Sequence, residues 1–154
     1  FDEATKERFV PHIVETSVGV ARMMLAFLDN AYQEEEVGAP DEHGKRDTRV
    51  VLKLDKRLAP VKIAVLPLSK KEELTSRAQE IWKTLSKKYF VEYDDTQSIG
   101  KRYRRQDEIG TPFCLTVDFD TLTDNAVTVR DRDTMEQIRI PIDQLLSYFT
   151  SQNM

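Results

Sequence analysis

The stretch KIAVLPL, residues 62–68, decides the fold, because an unbroken apolar run of this length is typical of a strand buried on both faces of a sheet. The sequence after it, KKEELTSRAQEIWKTLSKKY, predicts an amphipathic helix capped by Ser69. The apolar stripe of this helix comprises Leu74, Ala78, Ile81, Trp82 and Leu85. A second strand pattern follows in FVEYDD, residues 90–95. Strand, helix and strand with short connections form a βαβ unit, which predicts a parallel pair with a right-handed crossover.

The rest of this second half extends the same sheet. Residues 98–109 predict another helix, and Gly110 and Pro112 release the chain into a strand over residues 112–120. The turn residues TLTDN then precede AVTVRDRD and TMEQIRIPI, a pattern typical of an antiparallel meander, and IDQLLSYFTSQ predicts a closing helix. The predicted fold class is therefore α/β, with a five-stranded mixed sheet flanked by helices.

The first half is organised differently. FVPHIVET, residues 9–16, predicts a strand, and SVGVARMMLAFLDNAYQ predicts an amphipathic helix. Residues 33–48 lack periodicity and carry glycine, proline and dense charge, which predicts an exposed loop. RVVLKL, residues 49–54, again predicts a strand. We expect self-association of this chain if the apolar stripe of the first helix is left uncovered. That stripe includes Met23, Met24, Phe27 and Leu28.

The two halves are expected to meet near residues 57–60, where Pro60 disfavours helix at the preceding residue. The predicted units are residues 1–57 and residues 58–154. The chain begins with Phe1 and not with methionine, so we expect it to be a piece of a longer protein.

The composition is that of an ordinary globular protein of 154 residues, large enough for one domain and a fragment of another. No apolar run approaches the roughly 18 residues that span a bilayer, and no signal peptide pattern is present, so a cytoplasmic location is expected. The single cysteine, Cys114, excludes an internal disulfide. The two histidines, His12 and His43, match no zinc-binding spacing.

The most basic segment, SIGKRYRRQDEIG at residues 98–110, lies in a chain whose formal net charge is −4. On a helix, one face would carry Ile99, Tyr103 and Gln106. Its four cations are then expected to be mostly exposed. Two interpretations are open at this point: a solvated helix face with pairs such as Arg104 with Glu108, or a surface that meets phosphate groups.

A second polar element, VTVRDRDTMEQIRI at residues 127–140, alternates arginine with aspartate at a predicted strand end. RNA recognition needs cations for phosphates, donors and acceptors for base edges, and π-faces for unpaired bases. Phe119, between Asp118 and Asp120, could offer such a face, because strand alternation points it away from both carboxylates. A core role for Phe119 and a cross-strand ion-pair ladder for the arginines are equally open.

Other site chemistry is weakly represented. Asp118, Asp120 and Asp124 superficially suggest a calcium loop, but the glycine and glutamate that such a loop needs at its sixth and twelfth positions are absent. The sequence contains no GxGxxG, GxxxxGK[ST] or GxSxG motif. We therefore predict no metal site and no self-contained active site.

Two groups of motifs resemble one enzyme family, the class II aminoacyl-tRNA synthetases, in the form seen in glycyl-tRNA synthetases. VPHIVETSVGVARMMLAFLDNAY resembles the third signature motif of that class, a strand followed by a Gly-x-x-Arg helix. LAPVKIAVLPL, SIGKRYRRQDEIGTPFCLTVDFD and VTVRDRDTMEQIRI resemble the C-terminal anticodon-binding domain of the same enzymes. The resemblance covers nearly the whole chain. It implies a class IIa anticodon-binding domain preceded by a strand-helix-strand remnant of a class II catalytic domain.

The resemblance implies roles in the first unit. Arg22 matches the arginine that holds ATP in this family, and Glu15 and Ser17 match positions that bind the ammonium group of glycine and exclude larger side chains. A carboxylate suits an ammonium group. ATP and Mg²⁺ are the cofactors implied for the full-length enzyme, and none is implied for the isolated anticodon-binding domain. The first and second class II motifs do not occur here, so the parent is expected to be a glycine–tRNA ligase and this chain alone to be inactive.

The resemblance also implies that the second unit binds tRNA. Phosphate contacts are expected from Lys101, Arg102 and Arg105. Base contacts are expected from Asp118, Phe119, Arg130, Asp131 and Arg132. The implied partner is the anticodon stem-loop of a glycine tRNA, with a homodimer in the full-length enzyme and no membrane or DNA partner. Local positive charge in an acidic chain would limit indiscriminate RNA binding.

Two alternatives are weighed against this interpretation. A non-catalytic docking module would resemble the accessory subunit of mitochondrial DNA polymerase, but Glu15, Ser17 and Arg22 argue against it, because such a module needs no amino-acid pocket. The second alternative is a small enzyme of unrelated chemistry, but the sequence lacks the combination of nucleophile and base that such an enzyme needs.

Overall fold

The computed structural model describes residues 1–40 and 42–154. Its first regular element is a helix, α1 (Val20–Ala31), which passes into a two-stranded antiparallel hairpin of β1 (Tyr32–Val37) and β2 (Asp47–Leu52). No linker separates the helix from the hairpin, because the first residue of β1 directly follows the last residue of α1.

The larger sheet begins with β3 (Ile63–Pro67), helix α2 (Glu72–Leu85) and strand β4 (Val91–Tyr93). Strands β3 and β4 are parallel, which confirms the predicted βαβ unit. The chain then forms α3 (Ile99–Ile109) and β5 (Phe113–Val117), and β5 pairs in parallel with the other side of β3. The central strands β3 and β5 are therefore fully enclosed, as their apolar sequences predict.

An antiparallel meander completes the sheet. A short helix α4 (Thr121–Asp124) leads to β6 (Ala126–Asp131) and β7 (Gln137–Pro141). A 3₁₀ turn at Ile142–Gln144 then passes into α5 (Leu145–Ser151). The strand order β4-β3-β5-β6-β7, with parallel pairs at one end and antiparallel pairs at the other, confirms the predicted five-stranded mixed sheet.

Alternate strand residues form two cores on opposite faces of this sheet. The larger core, which includes side chains of α2 and α5, contains Ile63, Val65, Phe113, Leu115, Val117, Val127 and Val129 from the strands. The smaller contains Ala64, Leu66 and Cys114, with Ile99 and Tyr103 of α3 packed against it. Burial raises the pKa of the Cys114 thiol to about 12. Because α2 and α3 cover opposite faces, the chain leaves β3 and β4 toward opposite sides at their carboxyl ends.

The strand predicted at residues 9–16 is wrong. These residues adopt no regular structure, and their side chains are exposed. A strand must pair its amide and carbonyl groups with a neighbouring strand. Among the described residues the two-stranded sheet contains only β1 and β2, so residues 9–16 pair with neither of them. Helix α1 accordingly begins at Val20, which is later than its sequence pattern predicts.

The loop predicted at residues 33–48 is also wrong over much of its length. β1 ends at Val37 and β2 begins at Asp47, so only residues 38–46 connect the two strands. The sequence of β1 shows no apolar alternation because a charged residue stands where an apolar one would be expected. That residue, Glu35, accepts a hydrogen bond of 2.6 Å from Arg49. The strand predicted at residues 49–54 is confirmed over residues 49–52, because β2 ends at Leu52.

The start of α2 differs from its prediction too. The helix begins after Lys71, and no side chain in the described part of the chain caps it. The Ser69 hydroxyl accepts only a long hydrogen bond, 3.5 Å, from the Lys71 amide. Glu72 and Glu73 in the first turn supply negative charge where the helix dipole favours it.

Candidate nucleic-acid interface

The carboxyl ends of β3 and β4 are held together by Arg102. Its guanidinium donates to the carbonyl of Pro67 at the end of β3 and to the carbonyls of Thr96 and Gln97, over 3.2 and 3.0 Å, in the loop after β4. The side chain is 2% exposed, so the expectation that it is exposed was wrong. A guanidinium has five donors, and backbone carbonyls can satisfy them in the interior. Arg102 therefore joins the ends of the two strands from inside the fold.

The exposed face of α3 carries the other three cations of the basic segment. Arg104 pairs with Asp47 of the hairpin, in place of the expected pair with Glu108. Arg105 pairs with Asp94 and also donates to the Thr96 hydroxyl over 3.0 Å. Burial would raise the pKa of Asp94, but the hydrogen bonds from Arg105 and from the Thr96 hydroxyl and amide together outweigh it and lower the pKa. Lys101 is exposed and has no acidic partner among the described residues.

Phe119 lies just after β5, at the same carboxyl edge of the sheet. Its ring is 43% exposed, which excludes the core role that the sequence left open. The Nζ atom of Lys71 lies 4.8 Å from the ring centroid. Leu68 and Leu122, at the ends of neighbouring elements, are also partly exposed here. The carboxyl edge therefore presents an exposed aromatic ring beside a cation. We name this set the carboxyl-edge surface: Leu68, Lys71, Lys101, Arg105, Phe119 and Leu122.

Asp118 is fixed by two neighbours at this edge. Arg139 of β7 donates to its two oxygens over 2.8 and 3.1 Å, and the Thr121 amide donates over 2.9 Å. Burial would raise the pKa of Asp118, but these hydrogen bonds hold it at about 2. Arg139 also pairs with Asp124. Two of the aspartates that superficially suggest a calcium loop therefore bind a guanidinium instead.

Arg130, Asp131 and Arg132 lie at the opposite edge of the sheet. β5 and β6 are antiparallel, so Asp131 pairs with Phe113 at the amino end of β5, whereas Phe119 follows its carboxyl end. Two predicted groups of base contacts are thus separated by the length of β5. Sequence alone could not show this, because it depends on strand direction.

The two arginines at that opposite edge are buried. Arg130 donates to both oxygens of Asp107 over 2.8 and 3.0 Å, and its guanidinium carbon lies 5.0 Å from the Tyr103 ring centroid. Burial would lower the pKa of Arg130, but the pair with Asp107 raises it. Arg132 donates to the carbonyls of Gly110 and Leu54, over 2.7 Å each. These partners join elements of the fold.

Asp131 is more accessible than its neighbours and forms an ion pair with Lys56 over 3.0 Å. The predicted cross-strand ladder takes another form, because the acidic and basic partners come from different elements: α3, β6 and the segment after β2.

The residues predicted to bind glycine and ATP belong to other elements than the carboxyl-edge surface. Glu15 and Ser17 are exposed in the irregular segment before α1, and Arg22 is exposed on α1. Among residues 1–40 and 42–154, no group of three His, Cys, Asp or Glu side chains could hold a metal ion. No helix in this part of the chain is long and apolar enough to cross a membrane.

Comparison with known proteins identifies the larger sheet. A family model described as "Anticodon binding domain" matches residues 62–152, which include every strand and helix from β3 onward. The chain belongs to this family of anticodon-binding domains.

The relatives that match this chain are longer than the chain itself. The glycine–tRNA ligase of Corynebacterium efficiens is 60% identical over 152 residues, which make up 99% of this chain and 32% of that protein. The RNA-binding domain of threonyl-tRNA synthetase from Cryptosporidium parvum Iowa II matches with a TM-score of 0.59 at 28% identity, over 65% of this chain and 25% of that one. The prolyl-tRNA synthetase of Cryptosporidium parvum matches with a TM-score of 0.60 at 27% identity, over 68% and 23%.

The chain thus spans about a third of the length of the glycine–tRNA ligases that it matches. These findings confirm the resemblance seen in the sequence motifs. They do not favour the alternative of a polymerase accessory module.

Two residues of the anticodon-binding domain's surface were missed by the sequence analysis. Lys71 lies in a lysine pair that is unremarkable by itself, and only the structure places it beside Phe119. Arg139 lies in the alternating segment IRI, and its role becomes visible only when β7 is set beside β6, so that its side chain reaches Asp118.

Proposed function

We propose that this chain binds the anticodon stem-loop of a glycine tRNA through the carboxyl-edge surface, as part of a glycine–tRNA ligase. The observation that carries the proposal is the exposed Phe119 ring beside Lys71, in a chain that belongs to the anticodon-binding domains. Unpaired bases stack on aromatic rings, and nearby cations meet the phosphates. The surface offers both kinds of contact.

The predicted tRNA residues divide into two groups under this proposal. Lys101 and Arg105 meet the RNA backbone, and Phe119 stacks on a base beside the Asp118 carboxylate. Arg102, Arg130 and Arg132 are buried, so they serve the interaction by holding the backbone at the carboxyl ends of β3 and β4 and of α3 in place. Asp131 would contact RNA only if the loop extends along α3 to the opposite edge.

The full-length protein would join glycine to its tRNA. Glycine and ATP would form glycyl-adenylate, and glycine would then pass to the terminal ribose of the tRNA. Arg22 would bind ATP, a role that its exposed positive charge suits, and Glu15 and Ser17 would bind glycine. Mg²⁺, a homodimeric state and a cytoplasmic location belong to the same proposal.

The test is RNA binding measured by fluorescence anisotropy over a series of salt concentrations. One labelled RNA is the anticodon stem-loop of a glycine tRNA, and the other has both cytosines at the second and third anticodon positions replaced. We expect the native loop to bind more tightly by about tenfold or more, since a mismatched base costs about 1–3 kcal/mol. That preference should survive rising salt, because base contacts do not depend on counterion release.

Three variants assign the contacts. Phe119→Ala should weaken binding by roughly 5- to 100-fold, the range for loss of one stacked base. Lys101→Ala should weaken binding to both loops equally and lower the salt dependence by about one ion. The matched control, Lys83→Ala, removes an exposed lysine of α2 and should change neither value. Equal and steeply salt-sensitive binding to both loops would contradict anticodon recognition.

A further inference from the structure

A buried ionic cluster joins the β1–β2 hairpin to α3. Arg49 of β2 donates to the Asp107 carboxylate of α3 over 3.3 Å and to Glu35 of β1 over 2.6 Å. Arg130 of β6 donates to both oxygens of the same Asp107. The side chains of Arg49 and Asp107 are only 4% and 2% exposed. Buried charges of this kind are paired with one another and not with water. If the hairpin moved away from α3, the charges of Arg49 and Asp107 would become exposed or would lose their partner.

Backbone contacts bring the hairpin and α3 still closer. Arg49 also donates to the Arg132 carbonyl over 3.0 Å, and Arg132 in turn donates to the Leu54 carbonyl just after β2. Gly110, which ends α3, has a φ of +82°, and a Cβ added there would lie 2.9 Å from the carbonyl oxygen of Leu52. Strand β2 therefore approaches the end of α3 more closely than a side chain at that position permits.

The same hairpin carries α1. Tyr32 of β1 directly follows Ala31 of α1, and the Lys53 amide after β2 donates to the Ala31 carbonyl over 2.7 Å. Ala31 is buried, whereas most other residues of α1 are exposed. The position of α1 relative to the larger sheet is therefore set through the hairpin.

We infer that Arg49 and Asp107 are positioning residues that lock the hairpin to α3, so that α1 and α3 move as one body. The use of this lock rests on the proposed function. Under that function α1 carries Arg22 for ATP, and α3 carries Lys101 and Arg105 for RNA. The lock makes the orientation of the ATP-binding helix depend on that of the RNA-binding helix.

The chemistry of the cluster favours positioning over stability alone. The Nε atom of Arg49 is buried and has no hydrogen-bond acceptor among the described residues. A buried donor without an acceptor is costly, and apolar residues of similar size often stabilise such sites equally well. Unlike apolar packing, the ionic cluster fixes the orientation of the elements that it joins. Asp107 of α3 accepts hydrogen bonds from Arg49 of β2 and from Arg130 of β6.

The first arm of the test needs no RNA: hydrogen exchange followed by mass spectrometry on the full-length protein. Arg49→Ala should accelerate exchange of the β2 amides by about tenfold or more, while amides of β3 and β5 stay within about twofold. Arg49→Lys, which keeps a charge for Asp107, should restore part of the protection. Gly110→Ala, whose Cβ would push α3 away from the Leu52 carbonyl, should accelerate hydrogen exchange of the β2 amides in the same way.

The matched control for this arm is Arg104→Ala. It removes the exposed pair between α3 and Asp47 of the hairpin, so it should leave β2 exchange unchanged. Unchanged β2 exchange in Arg49→Ala would overturn the lock. Equal acceleration in β2, β3 and β5 would also overturn it, because that result describes general destabilisation. This arm decides the lock even if the chain binds no RNA.

The second arm tests what the lock does. In the full-length protein, replacing the two anticodon cytosines should lower kcat and raise KM for tRNA aminoacylation. In Arg49→Ala the rise in KM should persist, because the carboxyl-edge surface is intact, whereas the effect on kcat should fall to within about twofold of none. The same loss of kcat in wild type and variant would show that the hairpin does not link the two helices. Absence of any anticodon effect in the wild type would contradict the proposed function and, with it, the linkage of α1 to RNA binding.

Discussion

At the scale of single residues, Asp118 shows how neighbours set the charge of a side chain. Burial alone would raise the pKa of its carboxyl, but hydrogen bonds from Arg139 and Thr121 lower the pKa from 3.8 to about 2. A carboxyl whose pKa is lower in the folded state stabilises the fold above its unfolded pKa and loses that contribution as pH falls. We therefore expect the contribution of Asp118 to disappear between about pH 4 and about pH 2.

The variant Arg139→Ala tests this expectation by urea unfolding at several pH values. At neutral pH we expect it to reduce the free energy of unfolding by about 1–2 kcal/mol, with the difference from wild type shrinking toward pH 2. Arg57→Ala is the control, because Arg57 pairs with Asp55 on the open surface and such pairs contribute little. Two stability curves for Arg139→Ala and wild type that stay parallel across this range would refute the assignment.

At the scale of elements, β4 is the least supported strand of the larger sheet. It has three residues and, among residues 1–40 and 42–154, pairs only with β3, at the edge of the sheet. The indole nitrogen of Trp82, in α2, donates to the Val91 carbonyl over 3.0 Å. We expect Trp82→Phe, which keeps an aromatic ring but removes this donor, to accelerate hydrogen exchange in β4 by roughly fivefold, since one such bond contributes about 1 kcal/mol.

Amide exchange in β3 and β5 provides the internal reference for that variant. Thr84→Ala, on the exposed side of the same helix, serves as the control and should leave β4 unchanged. If Trp82→Phe instead accelerated the whole sheet together, β4 would belong to the same cooperative unit as the central strands, and the hydrogen bond would not be its specific attachment.

The sequence predicts the larger sheet well because its signals are local. β3 and β5 are continuous apolar runs, and the helices between them have clear apolar stripes. The hairpin before them escaped prediction because β1 contains Glu34, Glu35 and Glu36, of which Glu35 is paired with Arg49 in β2. The periodicity of apolar residues does not reveal a charged residue that is buried in an ion pair.

The candidate site was predictable only in part, for a related reason. The sequence identifies α3 as the basic element, but Arg102 and Arg104 look equivalent there, and only the carbonyls of neighbouring loops decide that Arg102 turns inward. Strand direction, which sequence motifs do not carry, separates Phe119 from Arg130. Long-range geometry therefore decides which cations are available to a ligand.

At the scale of the whole molecule, the most exposed apolar surface lies on α1 and the segment that precedes it. Met24 is 63% exposed, and Phe27 and Met23 are also exposed on the same helix. Leu58, beyond the hairpin, lies against this helix and extends the apolar area. A contiguous exposed patch of this kind favours association between molecules.

We therefore expect the 154-residue chain to self-associate through α1, with a sedimentation coefficient that rises with protein concentration. Phe27→Glu should hold the chain as a monomer, because a charge placed in a buried apolar contact costs more than the contact provides. Ile138→Glu, at an exposed isoleucine of the edge strand β7, is the control and should leave association unchanged. A wild-type chain that sediments as a monomer at high concentration would show that α1 does not drive association. Association that persists in Phe27→Glu but not in Ile138→Glu would place the contact on β7 instead.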